Sequence, residues 1–208
     1  MSFAPIVVCV DVGSTTTGKF GWWSSAGIGG TTPPGVARHI AEALNDEGAV
    51  ALGFECPLFV PIAENEDALT FARPGEGNRS WSAAAGLGAM GVGIAQVPWV
   101  LRAIRSQLTR AGSAFLDWEA FRAAGAGLFV WEAFISGNDK RSTHVADAEA
   151  AVQAFIAALP EPSSASRIRA IPCVMSLAGA ALVRTGWSND VGLLEQPVLV
   201  IGPAKNGV

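Results

Sequence analysis

Apolar positions along the chain follow two rhythms. Short β-branched runs at residues 5–12 (PIVVCVDV), 49–55 (AVALGFE) and 127–134 (GLFVWEAF) read as buried strands, and 197–201 (PVLVI) as a final one. Residues 19–24 (KFGWWS) return after the polar turn Gly13–Gly18, which predicts a hairpin with the first strand. Val36, Ile40, Ala41 and Leu44 keep helical spacing, so a helix is expected from Pro33 to about Asp46, with Thr32 before it. Further helices are expected over 83–111, 117–124, 142–159 and 173–185. Of these, 142–159 has the clearest ends, Ser142 or Thr143 as cap and Pro160 as stop. Residues 27–32 read as loop. Residues 58–82 hold Pro61, Pro74, Gly75 and Gly77 and are too long for an idle connection, so a lid or substrate loop is expected there. Strands interleaved with helices predict an α/β fold, a mixed or mostly parallel central sheet with helices on both faces.

Composition narrows this picture. A chain of 208 residues, half of them apolar, suits one domain spanning 1–208 with a sizeable core. The most apolar stretch, 83–101, is interrupted by Gln96 and Pro98, so a buried or amphipathic helix is expected there and no membrane partner. The N-terminus has neither a basic start nor a signal-peptide core, which points to the cytoplasm. Three irregularly spaced cysteines indicate neither a disulfide framework nor a thiolate zinc site. The formal net charge of −4 argues against tight non-specific grip on long nucleic acid, although carboxylates gathered at a cation site contribute formal charge that the ion neutralises. A homo-oligomer is compatible with all of this.

Candidate chemistry gathers at strand ends. Asp11 closes the first strand, Glu55 the strand after the first helix, and Glu132 lies near the end of the third. His144 and Asp147 are three apart in the first turn of a helix and share a face. Sites of α/β sheets collect at the carboxyl ends of strands. Carboxylates converging there repel one another unless a cation joins them, and hard oxygen ligands suit Mg²⁺ or Mn²⁺. Each residue also has an ordinary structural role: Asp11 as a turn former, Glu55 in an ion pair, Asp147 at a positive helix end, His144 at a cap, and Glu132 as partner of an Arg.

The motifs themselves carry a resemblance. Val10-Asp-Val-Gly-Ser-Thr-Thr-Thr-Gly18 resembles the first-strand motif of the RuvC Holliday-junction resolvases, Phe54-Glu-Cys-Pro57 their Glu-bearing strand end, and His144-Val-Ala-Asp-Ala148 their C-terminal His-x-x-Asp-Ala helix. The whole chain is similar to a family of uncharacterised, predicted RNase-H-like nucleases. In those, an acidic residue before Pro-Leu (Glu55-Cys56-Pro57-Leu58) precedes an Arg-bearing loop (Arg73, Arg79), a Glu-bearing strand (Trp131–Phe134) and an Asp-Ala helix. The resemblance implies a ribonuclease-H-like fold and a metal-dependent nuclease acting on nucleic acid or nucleotide. Asp11, Glu55, Asp147 and His144 would be the catalytic centre, and Asp11, Glu55, Asp147 and Glu132 the candidate metal ligands. Two ions would activate a water and stabilise the leaving oxygen of an in-line displacement. Arg79, Lys140 and Arg141 would steady phosphates, and Trp81, close to Arg79, would stack on unpaired bases. Trp99 with Trp81 flanks the Arg-rich region of Arg73, Arg79, Arg102 and Arg105, and tryptophans 22, 23, 118, 131 and 187 are expected as core or interface anchors. The chain departs from the resolvases in lacking a basic surface.

Two other readings compete. Asp11–Thr17 is also very like the first phosphate loop of actin-type ATPases, which need a second such loop that this chain does not show. A non-catalytic nucleotide- or partner-binding module of the same fold is the other. One distance separates them from the nuclease: carboxyl oxygens of Asp11, Glu55 and Asp147 within ~4–6 Å of each other favour a metal, whereas with an Arg or Lys head group filling the space between them the catalytic reading fails.

Overall fold

The computed structural model describes residues 3–77, 79–135, 137–169 and 171–204. Its first strand β1 (Ile6–Asp11) pairs antiparallel with β2 (Gly21–Ser24), the expected hairpin, and β2 pairs antiparallel with β3 (Ile28–Gly30). Helix α1 (Pro33–Asn45) then crosses to β4 (Ala49–Phe54), which lies parallel to β1 on its other side. A short strand β5 (Phe59–Pro61) precedes α2 (Ala84–Arg105), β6 (Ala114–Phe115), α3 (Trp118–Ala124) and β7 (Gly127–Ala133). Helix α4 (His144–Ala158), strand β8 (Val174–Ser176), helix α5 (Leu177–Arg184) and strand β9 (Val200–Ile201) complete the order. The central sheet is mixed and seven-stranded, ordered β3-β2-β1-β4-β7-β6, with β9 also pairing with β7; β5 and β8 form a separate antiparallel pair.

Alternation along the parallel strands assigns each residue a face. Val8, Val10, Leu52, Phe54, Leu128 and Val130 point to the side covered by α1, α2 and α5. Val7, Cys9, Ala51, Phe129 and Trp131 point to the side covered by α3 and α4. The α4 side is rich in aromatics: Trp118, Phe121, Phe129, Trp131 and Phe155 contact one another edge-on, stacked or tilted. Gly53 has no side chain because the Trp131 ring lies over it; a Cβ there would come within 2.4 Å of the indole.

Several local expectations need correction. Residues 27–32 contain β3, an exposed Ile-Gly-Gly with no apolar alternation to announce a strand. The expected helix 173–185 is split. Val174–Ser176 pairs with β5, and the Ser176 side chain accepts from Gly179 N–H at 3.1 Å to begin α5 only at Leu177. The helix expected over 83–111 ends at Arg105, and residues 114–115 form the small strand β6. Segment 58–82 is anchored, not free: its Arg73 and Glu76 are among the most buried charged residues of the protein. By length and composition α2 is apolar enough to cross a bilayer, but Val97, Val100, Leu101 and Ile104 pack into the core.

Candidate metal centre

Register brings the first two acids together. Val10 is the neighbour of Phe54 across the parallel β1–β4 pair, and Glu55 N–H donates to the Val10 carbonyl at 2.8 Å. Asp11 and Glu55 therefore leave the sheet side by side, on the α4 face by the alternation above. Asp11 is 4% exposed and Glu55 9%.

Helix α4 supplies the rest. Its cap is Thr143, whose hydroxyl accepts from Ala146 N–H at 3.1 Å. The helix packs across β1 and β2. Its N-terminal turn comes so close to the sheet that a Cβ on Gly21, the β2 partner of Asp11, would lie 2.4 Å from the His144 carbonyl carbon. Glycine at 21 is thus what lets the helix end reach the strand end. His144 Nδ1 sits 2.5 Å from Asp11 Oδ2, and ligand atoms of Asp11, His144 and Asp147 all lie within 4.8 Å of one another. On the other side of the sheet end, Gln96 of α2 clamps the backbone after Asp11. Gly13 N–H donates to its Oε1 at 3.2 Å, and its Nε2 donates to the Gly13 carbonyl at 2.6 Å.

Lys140 enters this cluster from the loop before α4. Its ammonium donates to Glu55 Oε1 and, at 3.1 Å, to Asp147 Oδ2, and it stands 4.0 Å from Asp11 Oδ2. The next residue, Arg141, donates its backbone N–H to Asp147 Oδ1 at 2.5 Å. Lys140 Nζ thus reaches all three carboxylates, although only Asp11, His144 and Asp147 bring ligand atoms within 4.8 Å of one another, and Glu55 joins them through the ammonium. With Lys140 in this position the condition set against the catalytic reading is met, and catalysis by these acids requires that the ammonium leave.

The ammonium does not exhaust the acids. Glu55 Oε2 is buried with no hydrogen-bond partner among the described residues. Burial, and next the Asp11 charge, push the Glu55 carboxyl up to about 8, against the opposing pull of Lys140. Burial likewise raises Asp11, with Lys140 and His144 opposing. Burial alone would lower Lys140, but the adjoining Glu55 and Asp11 charges outweigh it and hold the ammonium protonated. The donor set is hard oxygen with one imidazole nitrogen, which fits a divalent cation such as Mg²⁺ or Mn²⁺.

Glu132 does not join the cluster, which corrects its reading as a metal ligand. It pairs in register with Phe54 and so points to the opposite face from Glu55. There Arg73 grips it with a two-pronged fork, Nη1 to Oε2 at 2.8 Å and Nη2 to Oε1 at 2.5 Å, and Leu58 N–H donates to Oε2 at 2.9 Å. Glu76 takes Arg73 Nε at 2.8 Å, and the guanidinium lies 4.5 Å from the centre of the Phe59 ring. Both oxygens of Glu132 are committed, and its ordinary role as partner of an Arg is the one it fills. Nothing in the sequence flagged Glu76; only the Arg73-x-x-Glu76 spacing hinted at the pair.

The expected substrate residues divide. Arg79 is exposed, and its guanidinium lies against Gly137, in the loop that carries Lys140; a Cβ at Gly137 would stand 3.1 Å from Arg79 Nη2. The Arg141 side chain is exposed. Trp81 is half-buried, with its Nε1 donating to the Phe71 carbonyl at 3.0 Å, so its polar edge is spent on its own loop. Trp22, Trp118, Trp131 and Trp187 are buried anchors, as expected. Set against protein-family models, curated proteins and solved structures, the chain finds no match in any of the three.

Proposed function

We propose that this protein is a ribonuclease-H-like, divalent-metal-dependent phosphodiesterase acting on nucleic acid, with Asp11, Glu55 and Asp147 as its cation ligands. The observation that carries this reading is the partnerless buried oxygen of Glu55 within a cluster of three carboxylates that a single ammonium leaves under-compensated. An Asp-bearing first strand beside a Glu-bearing parallel strand, with a His-x-x-Asp helix packed across the first strand and its hairpin partner, is in keeping with a ribonuclease-H-like architecture.

A bound divalent ion supplies Lewis-acid activation of water and neutralises charge on the phosphate. The chain's own residues do the positioning. Asp11 and Glu55 stand on rigid strand ends, and Asp147 on the first turn of α4. The contact between His144 Nδ1 and Asp11 Oδ2 orients the imidazole and leaves Nε2 as the ring nitrogen that would serve as base toward an attacking water. Arg79 and Arg141, exposed near the Lys140 loop, are placed to meet phosphates, where guanidinium forks bind strongly.

Titration with Mn²⁺, followed by thermal unfolding and calorimetry, tests the reading. Wild type should bind and gain stability, and Asp11→Asn should lose both; equal binding by the two overturns it. Cleavage of single- and double-stranded DNA and RNA under saturating metal then tests the substrate class.

The Lys140 head group favours a second reading, a non-catalytic binding module in which the ammonium permanently neutralises the acids. In that case neither protein binds Mn²⁺, and Lys140→Met lowers stability.

A further inference from the structure

We infer that Lys140 is a displaceable internal cation: its ammonium occupies the position of the divalent ion, so metal loading and Lys140 release are one event. The inference rests on the metal-site reading above and adds a control to it.

Geometry is the first support. One Nζ touches Glu55 and Asp147 and lies 4.0 Å from Asp11, so it stands among the acids that the metal-site reading assigns to the ion. Two like charges cannot share that place. Repulsion between unit charges about 4 Å apart is worth several kcal/mol at the effective dielectric of a protein surface.

Exposure of the side chain is the second. The three acids are 5–9% exposed in their side chains, whereas that of Lys140 is 42% exposed. It reaches in from solvent on an unbranched stem and belongs to a connection following a single 3₁₀ turn, Gly137–Asp139. When a divalent ion takes over the charge of the acids, the freed ammonium is rehydrated in solvent.

The third is that its departure leaves the site standing. Arg141 N–H still holds Asp147 Oδ1, the Thr143 cap still starts α4, and Gln96 still holds Gly13. None of these bonds involves the Lys140 side chain. Glu55 Oε2, buried without a partner among the described residues, is an acceptor that Lys140 leaves unused.

The test compares Mn²⁺ affinity of wild type, Lys140→Met and Lys140→Arg by calorimetry at fixed ionic strength, with Asp11→Asn alongside. Lys140→Met should bind about tenfold more tightly or better, since it keeps the stem and removes the competing charge, while Lys140→Arg should stay near wild type. Independently, acylation of wild-type Lys140 by an amine-reactive ester, read by peptide mass spectrometry against Lys19 as internal reference, should rise when Mn²⁺ is added. Equal or weaker binding by Lys140→Met, with Asp11→Asn still defective, overturns the displacement and leaves the metal site intact. Absence of binding in both wild type and Lys140→Met overturns both. Should Lys140→Met not fold, unchanged acylation of wild type on adding Mn²⁺ overturns the inference by itself.

Discussion

His144 Nδ1 and Asp11 Oδ2 are 2.5 Å apart although 133 residues separate them in the chain. The contact exists because β2 offers a glycine where α4 crosses it. Gly21→Ala should push the helix end off the sheet, since its Cβ would overlap the His144 and Val145 backbone, which cannot yield as a flexible side chain would. Overpacking of this kind costs about 1–3 kcal/mol. Denaturant unfolding should show that loss, and Mn²⁺ affinity should fall with it. Wild-type affinity in a destabilised Gly21→Ala would mean that the ion does not need the α4 residues.

The Arg73–Glu132 fork is buried on both sides, with Arg73 1% exposed and Glu132 1%. Removing one partner of such a pair strands the other charge and costs about 3–5 kcal/mol. Glu132→Ala should therefore lose stability on that scale yet bind Mn²⁺ with unchanged stoichiometry. A Glu132→Ala protein that stays folded but no longer binds would restore Glu132 to the metal set.

Glu55 sets a pH dependence. Its carboxyl titrates near 8 in the folded protein against an ordinary value of 4.5. Between those values the folded chain holds a proton that the unfolded chain has lost, so stability of the metal-free protein falls as pH rises from about 4.5 to about 8. Asp11, also raised, acts in the same direction. Urea unfolding in the presence of chelator should show the decline, and Glu55→Gln should flatten most of it. An identical slope in Glu55→Gln would mean that the carboxylate is ionised throughout, fully matched by Lys140.

Gln96 holds the turn after Asp11 by accepting and donating at Gly13. Gln96→Ala removes both bonds, and at about 0.5–1.5 kcal/mol for each hydrogen bond a loss of about 1–3 kcal/mol is expected. Because the bonds fix the backbone next to Asp11, metal affinity should drop as well. Gln96→Glu can accept from Gly13 N–H but cannot donate to its carbonyl, so it should fall between. Unaltered Mn²⁺ binding in Gln96→Ala would confine Gln96 to stability.

The residue pattern by itself determined the strands of the parallel core, the hairpin, α1, the capped helix bearing His144 and Asp147, and the presence of acids at two adjacent strand ends. Those features are local: β-branched runs, helical spacing and a Thr cap act within a few residues. Tertiary structure alone decided three things. Strand register decided that Glu55 faces α4 while Glu132, opposite Phe54, faces away to Arg73; a shift by one residue reverses a strand's faces, and the composition of GLFVWEA does not state its partner. Pairing with β5 decided that Val174–Ser176 is a strand and not the start of a helix. Above all, the path of the loop before α4 decided that Lys140 lies among the acids. A lysine seven residues before Asp147 and 85 after Glu55 has no sequence signal for that place. Attraction between an ammonium and three crowded carboxylates acts through space, and only the folded backbone sets that distance.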